Sequence, residues 1–395
     1  MNINHSMTEA KTSERLIDLQ LSIQWETIDW KKVEKEVNRL QVRIAKATIN
    51  KKWNEVKRLQ YLLTHSYYAK LLAVRKVTTN EGKNTPGVDG ELWLTSSAKM
   101  KASKALTDKG YKAQPLRRVY IKKEGKKEKR PLGIPTMYDR AMQALYALAL
   151  DPVSESTADT NSYGFRQSRS THDACSHLFN VLASKNGAKW ILEGDIKGCY
   201  DNISHNWLID NIPMDKSILK QFLKAGFIFK GELFPTEDGT PQGGVISSIY
   251  ANLALDGLQK ALEEKFHYDE NGKPNSRIRA KNKVNFVRYA DDFVVTASTL
   301  EIAKETKEII AEFLKTRGLE LSEEKTLITH IDKGFDFLGW TFRKFKKIWI
   351  KQKGLCFRCG TLMEINDNRD IFYIKSPKHN DLYTTQNMVY IHKTC

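Results

Sequence analysis

The 395-residue chain has little cysteine, little proline and a shortage of negative charge. Five cysteines are too few for a disulfide framework at this size. A reducing intracellular compartment is therefore expected. The Lys-, Asn- and Ile-rich composition points to an AT-rich genome, and so to a bacterial cytoplasm or an organelle such as a plastid stroma or mitochondrial matrix, without choosing between them. No apolar run approaches the roughly 18 residues that a bilayer span needs, which excludes an integral membrane protein and a membrane partner. The opening stretch, MNINHSMTEAKTSERL, lacks the apolar core of a signal peptide. There is no internal repeat and no low-complexity tract. Hydrophobic residues at 41% and charged residues at 28% give the balance of a folded chain and exclude disorder throughout.

Lys and Arg number 64 against 47 Asp and Glu, a net charge of +17. That excess favours a polyanionic partner. It is concentrated in two zones. Residues 31–76 carry 13 Lys/Arg against 3 Glu, and residues 101–135 carry 12 against 3 acidic residues, so the remainder is near neutral. A single charged run is ordinarily a solvated face. Two dense runs interleaved with Trp and Tyr point to a phosphate-binding surface.

Residues 1–20 are polar and are expected to be flexible. Asp29 or Thr27 then caps a helix in which Val33, Val37, Leu40, Ile44 and Ala47 share one face. Val56, Leu59, Leu63 and Tyr67 repeat the pattern after a break at Asn50. Two amphipathic helices are predicted, their apolar positions in the core and their Lys and Arg available to RNA. NTPGVDG at 84–90 is turn chemistry. LRRVYIKKEGKKEKRPLGIP reads as two strands joined by a basic turn at Glu124–Lys127. A helix is predicted from Thr136 to Leu150, a strand over ILEGD, a short hairpin before a glycine loop at 240–244, and a helix from Gly244 to Leu262. VNFVRYADDFVVTA reads as two apolar strands with an acidic pair at their joint, followed by an amphipathic helix over 299–317.

Asp195 ends the strand ILEGD, and Asp291 and Asp292 occupy the joint between VNFVRY and FVVTA. A lone Asp at a turn is ordinarily a cap or a solvated loop residue. Several carboxylates at the ends of buried strands are costly unless paired or bound to metal. Two divalent ions held roughly 4 Å apart would balance them, one activating an attacking hydroxyl and the other neutralising a leaving pyrophosphate. All-oxygen ligation with retained waters suits Mg²⁺.

The surrounding residues form an ordered set. YADD at 289–292, DIKGCYDNI at 195–203, TPQGG at 240–244, RPLGIPTMYDRAMQ at 130–143, NSYGFR at 161–166, LSEEKT at 321–326 and FDFLGW at 335–340 resemble the motifs of the group II intron-encoded reverse transcriptase/maturase family. They keep the family's order over roughly residues 25–345. YADD alone would be a weak signal; seven ordered motifs are a strong one.

The resemblance implies an α+β fold, the fingers and palm of a right-hand polymerase, with an antiparallel palm sheet packed on helices. It divides the chain into a flexible N-terminus (1–20), an N-terminal helical extension (21–100), fingers and palm (101–345) and a C-terminal tail (346–395). The implied activity is RNA-directed DNA polymerisation by two Mg²⁺ ions on an RNA template with a DNA primer and dNTPs, with group II intron RNA as partner and a DNA target possible. Asp195 and Asp291 would ligate both ions, Asp292 would assist, and Ile196 would offer a backbone oxygen. Tyr200 matches the gate that would collide with a ribose 2′-hydroxyl, with a core aromatic as the alternative. Gln242 would position the nucleotide or the template base. Lys123 and Arg130 would clamp the triphosphate, unless their hairpin tracks template phosphates instead. Lys325 would act near the pyrophosphate. Arg166 is either a phosphate ligand or a structural ion-pair partner.

Cys356 and Cys359 are separated by 32 residues from the pair His392 and Cys395. Four such ligands would suffice for a structural Zn²⁺, which a segment this small would need in order to fold; two thiol pairs are the alternative. Cys175 and Cys199 read as core. The tail resembles the H-N-H endonuclease segment of many family members. Tyr373 stands where the catalytic His would fall, Asn387 matches the motif's Asn, and no His follows Cys395, so a nuclease-inactive remnant is expected. The family's thumb, or X domain, would lie after FDFLGW, where only residues 341–355 intervene. Its loss would put processivity in doubt. The alternative function is a non-catalytic intron-RNA-binding splicing cofactor.

Overall fold

A computed structural model describes residues 3–122, 129–184, 186–343, 369–373 and 388–392. The chain opens with four helices, α1 (Ile3–Glu26), α2 (Trp30–Ile49), α3 (Trp53–His65) and α4 (Tyr67–Thr79), a 3₁₀ turn at Glu81–Asn84, and α5 (Ser96–Ala105). Where a flexible N-terminus is expected, α1 runs through most of the stretch. Asp18 anchors it to α5 by accepting from Ser97 Oγ at 2.7 Å and pairing with Lys101, and Trp25 enters the core. Asp29 caps α2 by accepting from Lys32 N. Val33, Val37, Ile44 and Ala47 are buried as the helical period predicts. Tyr67 does not continue the α3 face. Ser66 is extended there, and Tyr67 opens a separate helix with its ring exposed, so two predicted helices are three.

Strands β1 (Leu116–Lys122) and β2 (Lys129–Ile134) pair antiparallel. The basic turn between them, including Lys123, lies outside the described residues. Helix α6 (Met137–Thr157) is capped by Thr136 and extends beyond the predicted end. Then follow α7 (Thr171–Ala183), β3 (Trp190–Gly194), α8 (Cys199–Asn202), α9 (His205–Asn211), α10 (Lys216–Leu223) and the hairpin β4 (Phe227–Phe229) and β5 (Glu232–Phe234). The predicted helix over 244–262 is two, α11 (Ser247–Leu255) and α12 (Leu258–Phe266), broken at Asp256 and at Gly257, whose φ is +94°. After α13 (Ser276–Asn282) come β6 (Asn285–Tyr289), β7 (Asp292–Ala297), α14 (Leu300–Lys315), β8 (Leu327–His330) and the hairpin β9 (Phe335–Phe337) and β10 (Trp340–Phe342). A last antiparallel pair, β11 (Arg369–Tyr373) and β12 (Met388–His392), sets Arg369 opposite His392. Cys356, Cys359, Cys395 and Asn387 lie outside the described residues.

Two four-stranded sheets result. One, called the fingers sheet after the expected fold, has the order β2-β1-β4-β5; the other, called the palm sheet on the same ground, has the order β6-β7-β3-β8 and is antiparallel throughout. Strand alternation buries both palm faces. Leu192, Phe286, Phe293 and Val295 pack against helices α11, α12 and α14; Ile191, Val287 and Val294 pack with Ala174 and Leu178 of α7 and with Phe335 and Phe337. Cys175 and Cys199 are buried within these cores, as read from the sequence. Among the described residues, no helix is long and apolar enough to cross a membrane.

Candidate active site

The β3 register sets Gly194 opposite Phe293, so Asp195 emerges from the strand end beside Asp292. Glycine is required there because a Cβ would fall 2.0 Å from Phe293 Cζ. Strands β6 and β7 pair Tyr289 with Asp292, leaving a two-residue turn of Ala290 and Asp291. Ala290 takes φ +57°, and Gly164 of the NSYGFR segment lies against the turn so closely that a Cβ would sit 2.2 Å from Ala290 N.

The LSEEKT segment is zipped alongside residues 195–197. Asp195 O accepts from Ser322 N at 2.8 Å, Ile196 bridges Leu321, and Lys197 N donates to Glu320 O at 2.9 Å. This alignment brings Lys325 Nζ to 2.8 Å from Asp195 Oδ2. A cavity of about 230 Å³ opens at this end of the palm, lined by Glu193, Asp195, Asp292, Lys325 and Asp336 among others.

The electrostatics follow from this crowding of acids. Burial raises the Asp291 carboxyl and the Asp195 charge adds to it, while Arg130 and Lys325 pull the other way. Asp292, open to solvent on one side, is pushed up to about 6 by desolvation and by the charges of Asp291 and Asp195. The Lys325 ammonium is raised, first by its hydrogen bond to Asp195. Arg130 of β2 is thus near enough to lower the Asp291 carboxyl by its charge.

The donor set is all oxygen and its members repel one another, which is the chemistry a hard cation relieves. Among the described residues, no three His, Cys, Asp or Glu side chains are gathered tightly enough to hold a metal ion. Lys325 pairs with Asp195, so a cation held there would have to displace it or share that carboxylate.

The remaining predicted residues divide clearly. Tyr200 stands on α8, half-buried; burial pushes its phenol up, and its ring meets the exposed Phe165 edge-on at 6.5 Å between centroids. Thr240 N donates to Tyr200 O at 2.6 Å, docking the TPQGG loop on α8. Gln242 Nε2 donates to Asp201 Oδ2 at 3.2 Å, and its carbonyl accepts from Gly133 N, tying the loop to β2. Arg130 is exposed on β2, opposite Ile121. Arg166 is structural. It makes a bidentate pair with Glu155 and donates to Asp159 O and Ser162 O, with its side chain 6% exposed.

Sequence reasoning missed Arg288, Asn252 and Asp256, which meet behind the turn. One signal was available. Alternation puts Arg288 on the core face of β6 with Phe286, where a charge demands partners.

A family model described as "Reverse transcriptase (RNA-dependent DNA polymerase)" matches residues 121–342, and one described as "N-terminal domain of reverse transcriptase" matches residues 25–106. "Group II intron-encoded protein LtrA" of Lactococcus lactis subsp. cremoris is 33% identical over 352 residues, covering 75% of this chain and 58% of that protein. The chain thus spans somewhat over half of that relative's length. "Protein YkfC" of Escherichia coli is 34% identical over 301 residues, covering 68% of this chain and 78% of that protein. "Putative COX1/OXI3 intron 1 protein" of Saccharomyces cerevisiae is 29% identical over 306 residues, covering 66% and 36%.

Proposed function

Because this chain belongs to the reverse transcriptase family, with group II intron-encoded proteins among its relatives, we propose that it copies intron RNA into DNA as a Mg²⁺-dependent RNA-directed DNA polymerase. The observation that carries the reading is the register that sets Asp195 and Asp292 at neighbouring strand ends of the palm sheet, with Asp291 in the adjoining turn.

Asp195, Asp291 and Asp292, with the Ile196 carbonyl, would hold Mg²⁺. When bound, the ions supply an activated primer 3′-hydroxyl and charge neutralisation at the leaving pyrophosphate. Arg130 and Lys123 would grip the triphosphate, and Lys325 would turn from Asp195 toward the departing phosphates. Tyr200 would lie beneath the sugar and exclude a 2′-hydroxyl, with Gln242 beside it on the docked loop. The basic faces of α2 and α3 would bind intron RNA through phosphates.

The short stretch after FDFLGW suggests weak hold on the primer–template duplex, hence few nucleotides per binding event. The tail, with Cys356, Cys359, His392 and Cys395, would be held by Zn²⁺ and inactive as a nuclease. Zinc content of the purified protein, with and without Cys356→Ser, tests that arm.

Primer extension on poly(rA)/oligo(dT) with Mg²⁺ tests the main reading. Extension that Asp291→Ala abolishes is expected. No extension, with tight salt-sensitive intron binding, would replace the polymerase with a non-catalytic splicing cofactor.

A further inference from the structure

The turn that carries Asp291 hangs on a buried arginine. Arg288 has no exposed surface. Its Nη1 donates to the carbonyl oxygen of Ala290 and to Asn252 Oδ1, both at 3.1 Å, and its Nη2 donates to Asp256 Oδ1 at 2.5 Å. Asn252 Nδ2 in turn donates to Gly164 O at 2.9 Å, and Gly164 is the residue pressed against Ala290. The Arg288 main chain is held from the same segment, its N–H donating to Asn161 O and its carbonyl accepting from Tyr163 N. Chain positions 164, 252, 256 and 288 therefore converge behind one two-residue turn.

Two physical arguments give this cluster a purpose. Ala290 adopts a left-handed φ, which costs a non-glycine residue on the order of 1–2 kcal/mol and persists where the surroundings over-determine it. A buried ion pair is also poor value as mere packing, because well-fitted apolar side chains in its place are often neutral or better for stability. What apolar side chains lack is a donor for the Ala290 carbonyl. The planar guanidinium supplies it from Nη1 while also donating to Asn252 and, through Nη2, to Asp256, a geometry an ammonium does not reproduce; its Nε is buried without a hydrogen-bond partner.

We infer that Arg288, oriented by Asp256 and Asn252, is a positioning residue that fixes the Ala290 carbonyl and thereby the placement of Asp291 and Asp292 relative to Asp195. This rests on the polymerase reading of the site. Arg288, Asn252 and Asp256 are buried behind the turn, so their effect passes through it.

Single-turnover incorporation of one dNTP by the full chain tests it, comparing wild type with Arg288→Lys and Asn252→Ser after circular dichroism has checked folding. The incorporation rate constant at saturating dNTP is expected to fall tenfold to a hundredfold, on the order expected for a misplacement of about 1 Å. The dNTP affinity should change by less than about threefold, and the burst amplitude, which counts active molecules, should be kept. A reduced amplitude with an unchanged rate constant would make the cluster merely structural and overturn the inference, as would no change at all. Asn252→Ser keeps the Arg288–Asp256 pair and decides the matter if Arg288→Lys does not fold. Hydrogen exchange of a peptide spanning 288–293 gives a readout independent of turnover. Faster exchange there, with the rest of the palm unchanged, is expected, and unchanged exchange overturns the inference. If wild type incorporates nothing, the polymerase reading fails, and the exchange result still decides whether Arg288 holds the turn.

Discussion

Lys325 Nζ lies 2.8 Å from Asp195 Oδ2, so the first carboxylate of the candidate site already carries a cation supplied by the chain. More than half of the Lys325 side chain is exposed, and a pair of that kind contributes only about 0–1 kcal/mol to stability. Its effect is therefore on the charge of the site. Lys325→Met should change denaturant stability by less than about 1 kcal/mol, yet slow incorporation by tenfold or more if, as proposed, Lys325 acts near the leaving pyrophosphate. Single-turnover rates and urea midpoints measured together check this. A normal rate would remove Lys325 from the chemistry.

The raised carboxylates predict a pH dependence. Asp292 sits at about 6 in the metal-free protein, above its ordinary 3.8, so folding favours its protonated form. The penalty is absent below the ordinary value, grows as pH rises from there to about 6, and is complete above that. Asp292→Asn should therefore raise the metal-free melting temperature at pH 7.5, with the gain shrinking to nothing near pH 4. Mg²⁺ needs the ionised form, so its half-saturating concentration should fall as pH climbs through 6 and level off beyond it. A gain for Asp292→Asn that is the same at both pH values would contradict the sign argued here.

Tyr200 packs against the core, and its backbone carbonyl accepts from Thr240 N of the 240–244 loop. Tyr200→Ala should increase ribonucleotide incorporation relative to deoxyribonucleotide by at least about tenfold, since a steric block is removed without adding any attractive contact. Competition between rCTP and dCTP on one template reads the ratio. Unchanged sugar choice would return Tyr200 to the status of a core aromatic.

Much of this architecture was legible in the chain. The three aspartates, the basic hairpin and the YADD joint could be placed because each lies within a local pattern, a strand alternation or a turn signature. The division between α11 and α12 was not legible, although Gly257 follows Asp256 directly, because apolar periodicity continues across the break. The cluster behind the turn was hidden for a different reason. Asn252, Asp256 and Gly164 look individually like ordinary helix, break and loop residues, and their meaning arises only when the fold brings them to Arg288. Arg166 shows the converse. Its motif left a phosphate ligand and a structural ion-pair partner equally open, and the fold pairs it with Glu155.

Gly164 offers a sharp steric test of the same turn. The atom that an added Cβ would strike is the Ala290 backbone nitrogen at 2.2 Å, and backbone cannot swing away as a flexible side chain can. Gly164→Ala must therefore push either NSYGFR or the catalytic turn outward. Overpacking of this kind costs about 1–3 kcal/mol. The clash is with the residue next to Asp291, so where the turn yields, incorporation should drop further than the stability loss alone explains. Gly82→Ala is the control, because its Cβ would meet nothing nearer than 3.6 Å and its backbone is not left-handed. Melting temperature and single-turnover rate, measured on both variants, separate the two effects. If Gly164→Ala behaves like Gly82→Ala in both, the close approach of NSYGFR to the turn is wrong, and with it the physical basis for a turn held from behind.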